Sequence, residues 1–306
     1  MLFRSAIMVI VPALTMIATG NAVLYTGATP VVVDVEPDTG NLDPAAVEAA
    51  LSPRTRAVIP VHLYGLPCSM TALRAVCEPR GIALVEDAAE AIGTTALGRA
   101  AGTLGRAGCF SFFANKVLTT GEGGMLVTDD PALAARGRSF KDQWFVPERR
   151  FFHPHVGYNY RMSNLQAALG VAQLERVACL AAARRTVAAV YRKLLAGLPA
   201  LELPLDQWQD GTNSHWMYAV RVQADAGATA DALARHLAQD GIESRGFFHP
   251  LSRQPAFAAF GRPCPVAEEI APRGLLLPTG PTLAVADQER IADSLRRFFQ
   301  SPRPRV

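Results

Sequence analysis

Lysine is the scarcest basic residue of this chain, and one lysine stands where an amine can do covalent chemistry. The sequence contains 30 lysines and arginines together, of which only Lys116, Lys141 and Lys193 are lysines. A deprotonated lysine amine can form a Schiff base with a carbonyl compound, whereas a guanidinium stays protonated. Lys116 follows the apolar segment 109–113 and precedes the glycine-rich segment 119–124, while the other two lysines lie in polar segments. This pattern predicts that Lys116 ends a buried strand, where α/β proteins hold their sites, although structural lysines also occur there.

A second group of candidate residues is acidic. The apolar segment 82–85 leads into Glu86, Asp87 and Glu90. A carboxylate just past a buried strand is costly unless it is paired or faces a cleft, so Asp87 is either a helix cap or a site residue. A cofactor with a pyridinium nitrogen requires such a carboxylate, because the salt bridge keeps the ring protonated and able to accept electrons. The glycine-rich segment is either a phosphate cradle or a hairpin, and it matches neither Walker A nor dinucleotide-binding spacing.

The elements that must position these residues alternate between strands and helices. The predicted strands are 8–11, 30–35, 57–62, 82–86, 109–113 and 125–128, with helices at 44–51 and 70–78 between them. Most of these strands are continuous apolar runs, which is typical of strands buried on both faces of a parallel or mixed sheet. The predicted fold class is therefore α/β, with a large, mostly parallel sheet in the first part of the chain.

The second part of the chain predicts a smaller α/β unit. Segment 131–162 is rich in aromatic and basic residues and is expected to be less regular than the segment before it. A helix is expected to begin after Ser163, which forms a capping box with Gln166, and to continue to about residue 198. A strand at 216–222 and helices at 230–240 and 286–299 follow. The expected domains are 1–180 and 181–306, joined by this long helix.

Charge and cysteine content exclude several classes of function. The net charge is +3, with basic and acidic residues interspersed, so neither nucleic acid nor a membrane is an expected partner. The five cysteines include no C-x-x-C pair, which argues against a disulfide framework or a metal site and favours a cytoplasmic location. The apolar segment 6–14 has features of a signal peptide, but Pro12 interrupts it, and a buried strand with a following helix explains it better.

Four motifs in this order resemble those of one enzyme family. The chain reads EDAAEA at 86–91, GCFSFFANK at 108–116, TTGEGGM at 119–125 and GYNYRM at 157–162. Together they resemble the DegT/StrS-type sugar aminotransferases, which have the aspartate-aminotransferase fold and use pyridoxal 5'-phosphate. Segments 60–65 and 273–278 extend the resemblance over nearly the whole chain. The stretch 149–162 is most similar to the perosamine synthase subset.

The resemblance implies a role for each matching residue. Lys116 would form the Schiff base with pyridoxal phosphate and move the proton between substrate and cofactor. Asp87 would pair with the pyridinium nitrogen, and Glu90 would lie near the ring hydroxyl, where many relatives carry glutamine. Ser111 would bind the cofactor phosphate. Asn159 would reach the phosphate in a neighbouring subunit, which implies a homodimer with shared active sites.

At some further positions of the site that the resemblance implies, this chain differs from the residues common in the family. Met16 stands where relatives usually place an aromatic side chain against the cofactor ring. His153 and His249 are candidate substrate-binding residues, and His249 and Ser252 replace a tyrosine and a histidine that are common in relatives. Relatives also have a further N-terminal stretch with a Gly-Thr motif that grips the phosphate. Because this sequence begins after that motif and its residues 1–7 fit the family poorly, the N-terminus is expected to be truncated.

The predicted function is amino transfer to a nucleotide-linked keto-deoxy sugar, with a 4-keto-6-deoxy hexose as acceptor and glutamate as donor, for aminosugar and O-antigen polysaccharide synthesis. The alternative is a truncated pseudoenzyme of the same fold that has lost catalysis. A dehydratase is disfavoured, because dehydratases that resemble this family replace the lysine with histidine, and Lys116 is present.

Overall fold

A computed structural model describes residues 7–146, 148–149 and 151–300 of the protein. Residues 1–6, which make up most of the segment expected to fit the family poorly, lie outside the described residues. Eight strands occupy the first part of the chain: β1 Met8–Pro12, β2 Thr29–Val33, β3 Thr55–Val58, β4 Ala83–Asp87, β5 Thr95–Ala96, β6 Arg99–Ala100, β7 Ala107–Ser111 and β8 Gly124–Val127. Six of them form one sheet in the order β2-β1-β3-β4-β7-β8. All six strands predicted from the sequence are confirmed, with ends shifted by a few residues.

The main sheet is parallel except at one edge. Strands β2, β1, β3, β4 and β7 pair in parallel, and β8 pairs antiparallel with β7. The crossovers between parallel strands contain α1 Ile17–Tyr25, α2 Pro44–Ala50 and α3 Met70–Cys77, and α4 Pro131–Lys141 follows β8. Because helices cover both faces, central residues such as Ile10, Val11 and Leu84 are buried. The carboxyl ends of β4 and β7 therefore lie side by side at one edge of the sheet.

The rest of the chain builds a second, antiparallel sheet with its own helices. The helices are α5 Asn164–Leu174, α6 Val177–Leu195, α7 Ala230–Gln239, α8 Pro265–Ile270 and α9 Val285–Gln300, and the strands are β9 Leu201–Glu202, β10 Gln207–Trp208, β11 Gly211–Thr212, β12 Tyr218–Val222, β13 Arg245–Gly246 and β14 Gly274–Leu277. This sheet has the order β13-β14-β12-β9, and β10 and β11 instead join β5 and β6 in a small sheet. Helices α6, α7 and α9 contribute Tyr191, Leu233 and Leu295 to the core beneath it.

The middle of the chain differs from the expected elements in two places. Segment 131–162 begins with α4, in which Asp130 caps the amides of Ala132 and Leu133, and its described residues from 142 on are less regular, as expected. The helix expected to run from 163 to 198 is two helices, because Arg176, at φ −112° and ψ 8°, leaves the helical conformation. No glycine or proline marks this break, so the apolar pattern continues across it. The predicted capping box at Ser163 and Gln166 is confirmed.

A shared core joins the two parts of the molecule beside the end of β1. Val11 and Leu14 from the first part pack in one cluster with Trp216, Leu251 and Phe257 from the second. Gly20 in α1 allows this close approach, because a Cβ there would lie 2.5 Å from the Phe257 ring. Helix α1 is thereby held firmly against the later part of the chain.

Candidate active site

The ends of β4 and β7 bring three of the predicted site residues together. Asp87 is the last residue of β4 and pairs with Cys109 of β7, and Glu90 follows in the next turn. Lys116 lies in the loop after β7, with its side chain only 11% exposed. Its amine nitrogen Nζ is 3.8 Å from Oε1 of Glu90. The structure therefore places an amine and two carboxyl groups close together at the carboxyl ends of β4 and β7.

Trp216 forms the other side of the lysine environment. The Lys116 Nζ lies 3.7 Å from the centroid of the Trp216 ring, which is a cation–π distance. The indole Nε1–H donates a 2.9 Å hydrogen bond to the carbonyl oxygen of Asn115. Because Trp216 is 100 residues further along the chain than Lys116, only the tertiary fold brings it here. The sequence analysis placed Trp216 at the start of a predicted strand, and no motif around it indicates a role in a site.

Burial and nearby charges act in opposite directions on the pKa of the Lys116 amine. Burial lowers the pKa of Lys116, and the negative charges of Glu90 and Asp87 raise it only in part, so the net shift is downward. A lowered pKa increases the fraction of free amine, which is the nucleophilic and basic form. Lysines tuned in this way are characteristic of Schiff-base and general-base sites.

Glu90 is a buried acid whose charge depends on pH in the neutral range. Its side chain is 5% exposed, and its Oε2 accepts a 2.8 Å hydrogen bond from the amide of Tyr64. Burial raises the pKa of Glu90 to about 7, against the opposing effects of Lys116 and the Tyr64 amide. Glu90 and Lys116 thus form a coupled acid–base pair in which each group alters the charge of the other.

Replacing Glu90 with glutamine is expected to lower the pKa of Lys116 further. The Glu90 carboxylate is the largest influence that raises the pKa of this amine, and glutamine removes its charge while keeping its shape. The measurement is the pH dependence of amine acylation in the cofactor-free protein, followed peptide by peptide with mass spectrometry. The acylation midpoint of Lys116 should move to lower pH in Glu90→Gln, and that of exposed Lys193 should not move. An unchanged or higher midpoint for Lys116 would contradict the coupling.

Asp87 is oriented by donors on both of its carboxylate oxygens. The hydroxyl of Thr19 in α1 donates to Oδ2 at 2.6 Å, and the amide of Ala89 donates to Oδ1 at 3.1 Å. The Ala89 contact is the cap-like turn that the sequence allowed as an alternative. The site interpretation requires a second partner, and Thr19 provides one that sequence analysis missed.

The strand that carries Asp87 is fastened by its neighbour Glu86. This carboxylate is fully buried and accepts hydrogen bonds from His62 and from the amides of Gly102, Leu104 and Gly105. These contacts join β4 to the segment before β7, so they fix the relative positions of the two strand ends. Sequence analysis named Glu86 only as part of an acidic motif and did not identify His62 as its partner.

The remaining predicted site residues lie in varied surroundings. Ser111 ends β7 and is half-buried, and its hydroxyl accepts a hydrogen bond from the amide of Phe113. Met16 caps α1 through its sulfur and is 49% exposed. His249 is exposed in the segment after β13. Ser111, at the end of β7, and Met16, after β1, are thus at least partly exposed near the carboxyl ends of main-sheet strands.

Two predicted residues belong to a separate exposed segment. His153 contacts the carbonyl oxygen of Gln143 at 2.8 Å, and Asn159 pairs with Asp142 in an isolated bridge. Both line one shallow depression on the surface. The contacts of His153 and Asn159 are with their own segment, so the structure does not bring them to Lys116 within one chain.

The donor set at the strand ends fits pyridoxal phosphate. Lys116 offers an amine for the aldehyde, Asp87 offers a carboxylate for the ring nitrogen, and Ser111 offers a hydroxyl for the phosphate.

Within the described ranges, no group of three or more histidine, cysteine, aspartate or glutamate side chains is arranged to hold a metal ion. None of the described helices combines the length and apolarity that crossing a bilayer requires.

Comparison with known proteins decides the family. Residues 5–296 match the DegT/DnrJ/EryC1/StrS aminotransferase family. The chain belongs to this family. It is therefore an aminotransferase, as the four motifs predicted, and the family's cofactor is pyridoxal phosphate, as expected from the same motifs.

Curated relatives and solved structures agree with this assignment. The chain is 46% identical to the GDP-perosamine synthase of Caulobacter vibrioides over 94% of the chain and 78% of the relative, and 37% identical to that of Escherichia coli O157:H7 over 95% and 79%. The structure resembles DesV of S. venezuelae with a TM-score of 0.91 and 37% identity, covering 98% of this chain and 80% of DesV. It also resembles DesI, solved in the presence of its TDP-sugar product, with a TM-score of 0.87 and 39% identity, over 95% and 74%. These neighbours confirm the predicted aspartate-aminotransferase-like fold.

Proposed function

We propose that this aminotransferase moves an amino group from glutamate to the keto group of a nucleotide-linked 4-keto-6-deoxy sugar. The observation that carries the proposal is the partly buried Lys116 amine, with its lowered pKa, beside Glu90 at the ends of β4 and β7. The relatives' names support the substrate class, because they include GDP-perosamine synthases and a UDP-sugar 3-aminotransferase. The product would be an aminosugar donor for polysaccharide or O-antigen synthesis.

Each site residue has a proposed role in this reaction. When bound, pyridoxal phosphate supplies the electron sink that stabilises negative charge on the reacting carbon. Lys116 holds the cofactor and then moves the proton on and off that carbon as a general base and acid. Asp87 pairs with the ring nitrogen, Glu90 contacts the ring hydroxyl, and Ser111 binds the phosphate. In addition, Met16 covers one face of the ring.

The substrate side of the site is proposed to involve His249 together with His153 of the partner subunit, because His153 lies apart from Lys116 within one chain. Both imidazoles are exposed and carry hydrogen-bonding nitrogens, which suits the hydroxyl and phosphate groups of a nucleotide sugar. We further propose two domains, 1–180 and 181–306, with the substrate bound between them. A cytoplasmic location is proposed from the resemblance, and the exposed free thiol of Cys179 suits a reducing compartment.

The proposed cofactor attachment has a direct chemical test. The purified protein is loaded with pyridoxal phosphate, reduced with borohydride, digested, and mapped by mass spectrometry. Because the chain has only three lysines, the expected result is one label per chain, on Lys116 alone. Label scattered over Lys141 and Lys193, or none at all, would contradict the attachment and favour a non-catalytic chain. A panel of nucleotide-linked keto sugars with glutamate then tests the substrate class.

We also propose a homodimer in which Asn159 reaches the cofactor phosphate of the partner subunit. Helix α5 supports this, because Leu165 and Leu169 are 81% and 57% exposed, and large exposed apolar faces usually mark interfaces. The neighbouring edge strand β8 exposes Met125 and Leu126 as well. A second copy of the chain is the proposed occupant, since Asn159 lies apart from Lys116 within one chain.

Placing charge on α5 is expected to dissociate this dimer. The double variant Leu165→Glu, Leu169→Glu would bury two unpaired carboxylates at the interface, so the dimer dissociation constant should rise about a hundredfold or more. Sedimentation over a concentration series measures it. The matched control is Val285→Glu, which charges a 54% exposed apolar residue at the start of α9, and it should leave association unchanged. A charged α5 variant that stays dimeric would exclude this face as the interface.

A further inference from the structure

The strongest unassigned feature of the site is a chain of hydroxyls that ends on Asp87. Thr15 and Thr19 are 1% and 4% exposed; Thr19 lies in the first turn of α1, and Thr15 lies two residues before that helix begins. Their Oγ1 atoms are 2.9 Å apart. The Thr19 Oγ1 is in turn 2.6 Å from Oδ2 of Asp87, which is the distance expected of a hydroxyl–carboxylate hydrogen bond. The three side chains form one continuous line of hydrogen bonds from the two buried threonines to the partly exposed Asp87.

The direction of these hydrogen bonds follows from counting protons. A carboxylate only accepts, so the single hydroxyl proton of Thr19 points at Asp87. The Thr19 oxygen is then free to accept, and the hydroxyl proton of Thr15 is the donor available to it. The carbonyl oxygen of Met16 competes for the Thr15 proton at the longer distance of 3.3 Å. Hydrogen bonds linked in this way polarise and strengthen one another.

The two donors to Asp87 also fix the plane of its carboxylate. Thr19 holds Oδ2, and the Ala89 amide holds Oδ1. Without Thr19, only the Ala89 contact would remain, and the carboxylate could rotate about its last bond. Helix α1 cannot shift easily to compensate, because Gly20 is in close contact with Phe257.

We propose that Thr19 is a positioning residue of the aminotransferase reaction, which orients the Asp87 carboxylate toward the ring nitrogen of pyridoxal phosphate. Thr15 supports it by donating to its hydroxyl. The inference rests on the proposed role of Asp87. Thr19 itself touches neither cofactor nor substrate in this assignment and acts only through Asp87.

Isosteric substitutions separate this role from packing. Thr19→Val keeps the volume but removes the donor, Thr19→Ser restores the donor, and Thr15→Val removes only the supporting bond. A hydrogen bond to a charged group accounts for an affinity change of about ten- to a hundredfold, so Thr19→Val should weaken pyridoxal phosphate binding by about that factor. Thr19→Ser should stay within about twofold of the wild type, and Thr15→Val should lie between them.

The decisive readout is the absorption spectrum of the bound cofactor, titrated from neutral to alkaline pH. A ring nitrogen that loses its aligned carboxylate changes this spectrum, whereas a merely structural loss lowers occupancy without changing the spectrum. The Thr19→Val spectrum should therefore move part of the way toward that of Asp87→Asn, and Thr19→Ser should restore the wild-type spectrum. Wild-type spectrum and affinity in Thr19→Val would overturn the inference. If Thr19→Val does not fold, the spectra and cofactor affinities of Thr19→Ala and Thr15→Val are compared with those of the wild type and Asp87→Asn instead.

The outcome also separates this inference from the proposed function. If Asp87→Asn binds and titrates pyridoxal phosphate like the wild type, the role of Asp87 is wrong and the inference fails with it. If Asp87→Asn is impaired while Thr19→Val is not, the proposed function stands and only the positioning role is lost. Melting temperatures of the cofactor-free variants show whether any effect comes from the fold instead.

Discussion

Lys116→Ala is expected to abolish amino transfer. In the proposed reaction this lysine both holds the cofactor and carries the proton, so its loss removes the general acid–base step and the covalent attachment together. Acid–base catalysis by one residue contributes about a hundred- to ten-thousandfold, and we expect kcat to fall at least a thousandfold. The measurement is product formation from glutamate and the accepted keto sugar, under saturating pyridoxal phosphate, which compensates for weaker binding.

Two controls make this prediction specific. Lys116→Arg keeps a positive charge and a long side chain but cannot form a Schiff base, so it should be as inactive as the alanine variant. Lys193→Ala removes an exposed charge on α6 and should leave kcat unchanged. Substantial turnover by Lys116→Ala, in a preparation free of wild-type enzyme, would rule out Lys116 as the catalytic lysine.

The fold was largely predictable because its strands are continuous apolar runs. In a sheet covered on both faces, burial alone selects residues such as Ile10, Val32 and Leu84, and this selection is visible along the chain. The division of the helix near Arg176 was not predictable, since the apolar period continues through it without glycine or proline. Local patterns thus locate elements well but do not reveal where packing bends them.

The site was predictable only in part, for a related reason. Asp87 is the last residue of β4 and Lys116 lies in the loop after β7; because parallel strands bring their carboxyl ends to one edge, sequence spacing suffices to group these two residues. Trp216 and Thr19 reach the site from other elements, and neither stands in a pattern that announces it. The catalytic and binding roles of Lys116, Asp87, Glu90, Ser111 and the others stay predictions until the variants are measured.

The second large effect concerns stability and is expected from Glu86→Gln. The Glu86 Oε1 accepts from the amides of Leu104 and Gly105 at 2.6 Å each, and Oε2 accepts from Gly102 at 2.7 Å and His62 Nε2 at 3.0 Å. Glutamine has only one acceptor oxygen, so its NH₂ group would replace the other oxygen and would face hydrogen-bond donors that it cannot accept from. Breaking such a fully buried pair costs about 3–5 kcal/mol of unfolding free energy.

The hydrogen-bonding state of His62 supports this expectation. The amide of Cys68 donates to His62 Nδ1 at 3.1 Å, so that nitrogen is the acceptor and Nε2 carries the proton toward Glu86. Every partner of Glu86 is therefore a donor, and none can turn around to accept from a glutamine NH₂. Repacking is also limited, because both side chains are fully buried.

The unfolding free energy that Glu86→Gln loses should be larger at neutral pH than at acid pH. Burial acts to raise the pKa of Glu86, but the hydrogen bonds from His62 and from the Gly105 and Gly102 amides outweigh it, so the net pKa is lowered from 4.5. A lowered pKa in the folded state stabilises the protein above the ordinary carboxyl pKa, and this stabilisation is lost as pH falls. The difference between wild type and Glu86→Gln should therefore be full at neutral pH and narrow below about pH 4.5.

Urea unfolding of the two proteins across this pH range measures the difference, with Glu78→Gln as the matched control. Glu78 is a glutamate with a side chain that is 56% exposed and paired with Arg74, so its loss should change the unfolding free energy by less than about 1 kcal/mol. If Glu86→Gln unfolds at the same urea concentration as the wild type, the buried hydrogen bonds of Glu86 do not stabilise the fold. A difference that widens toward acid pH would instead mean that Glu86 is protonated in the folded state, because only then would glutamine resemble it at neutral pH.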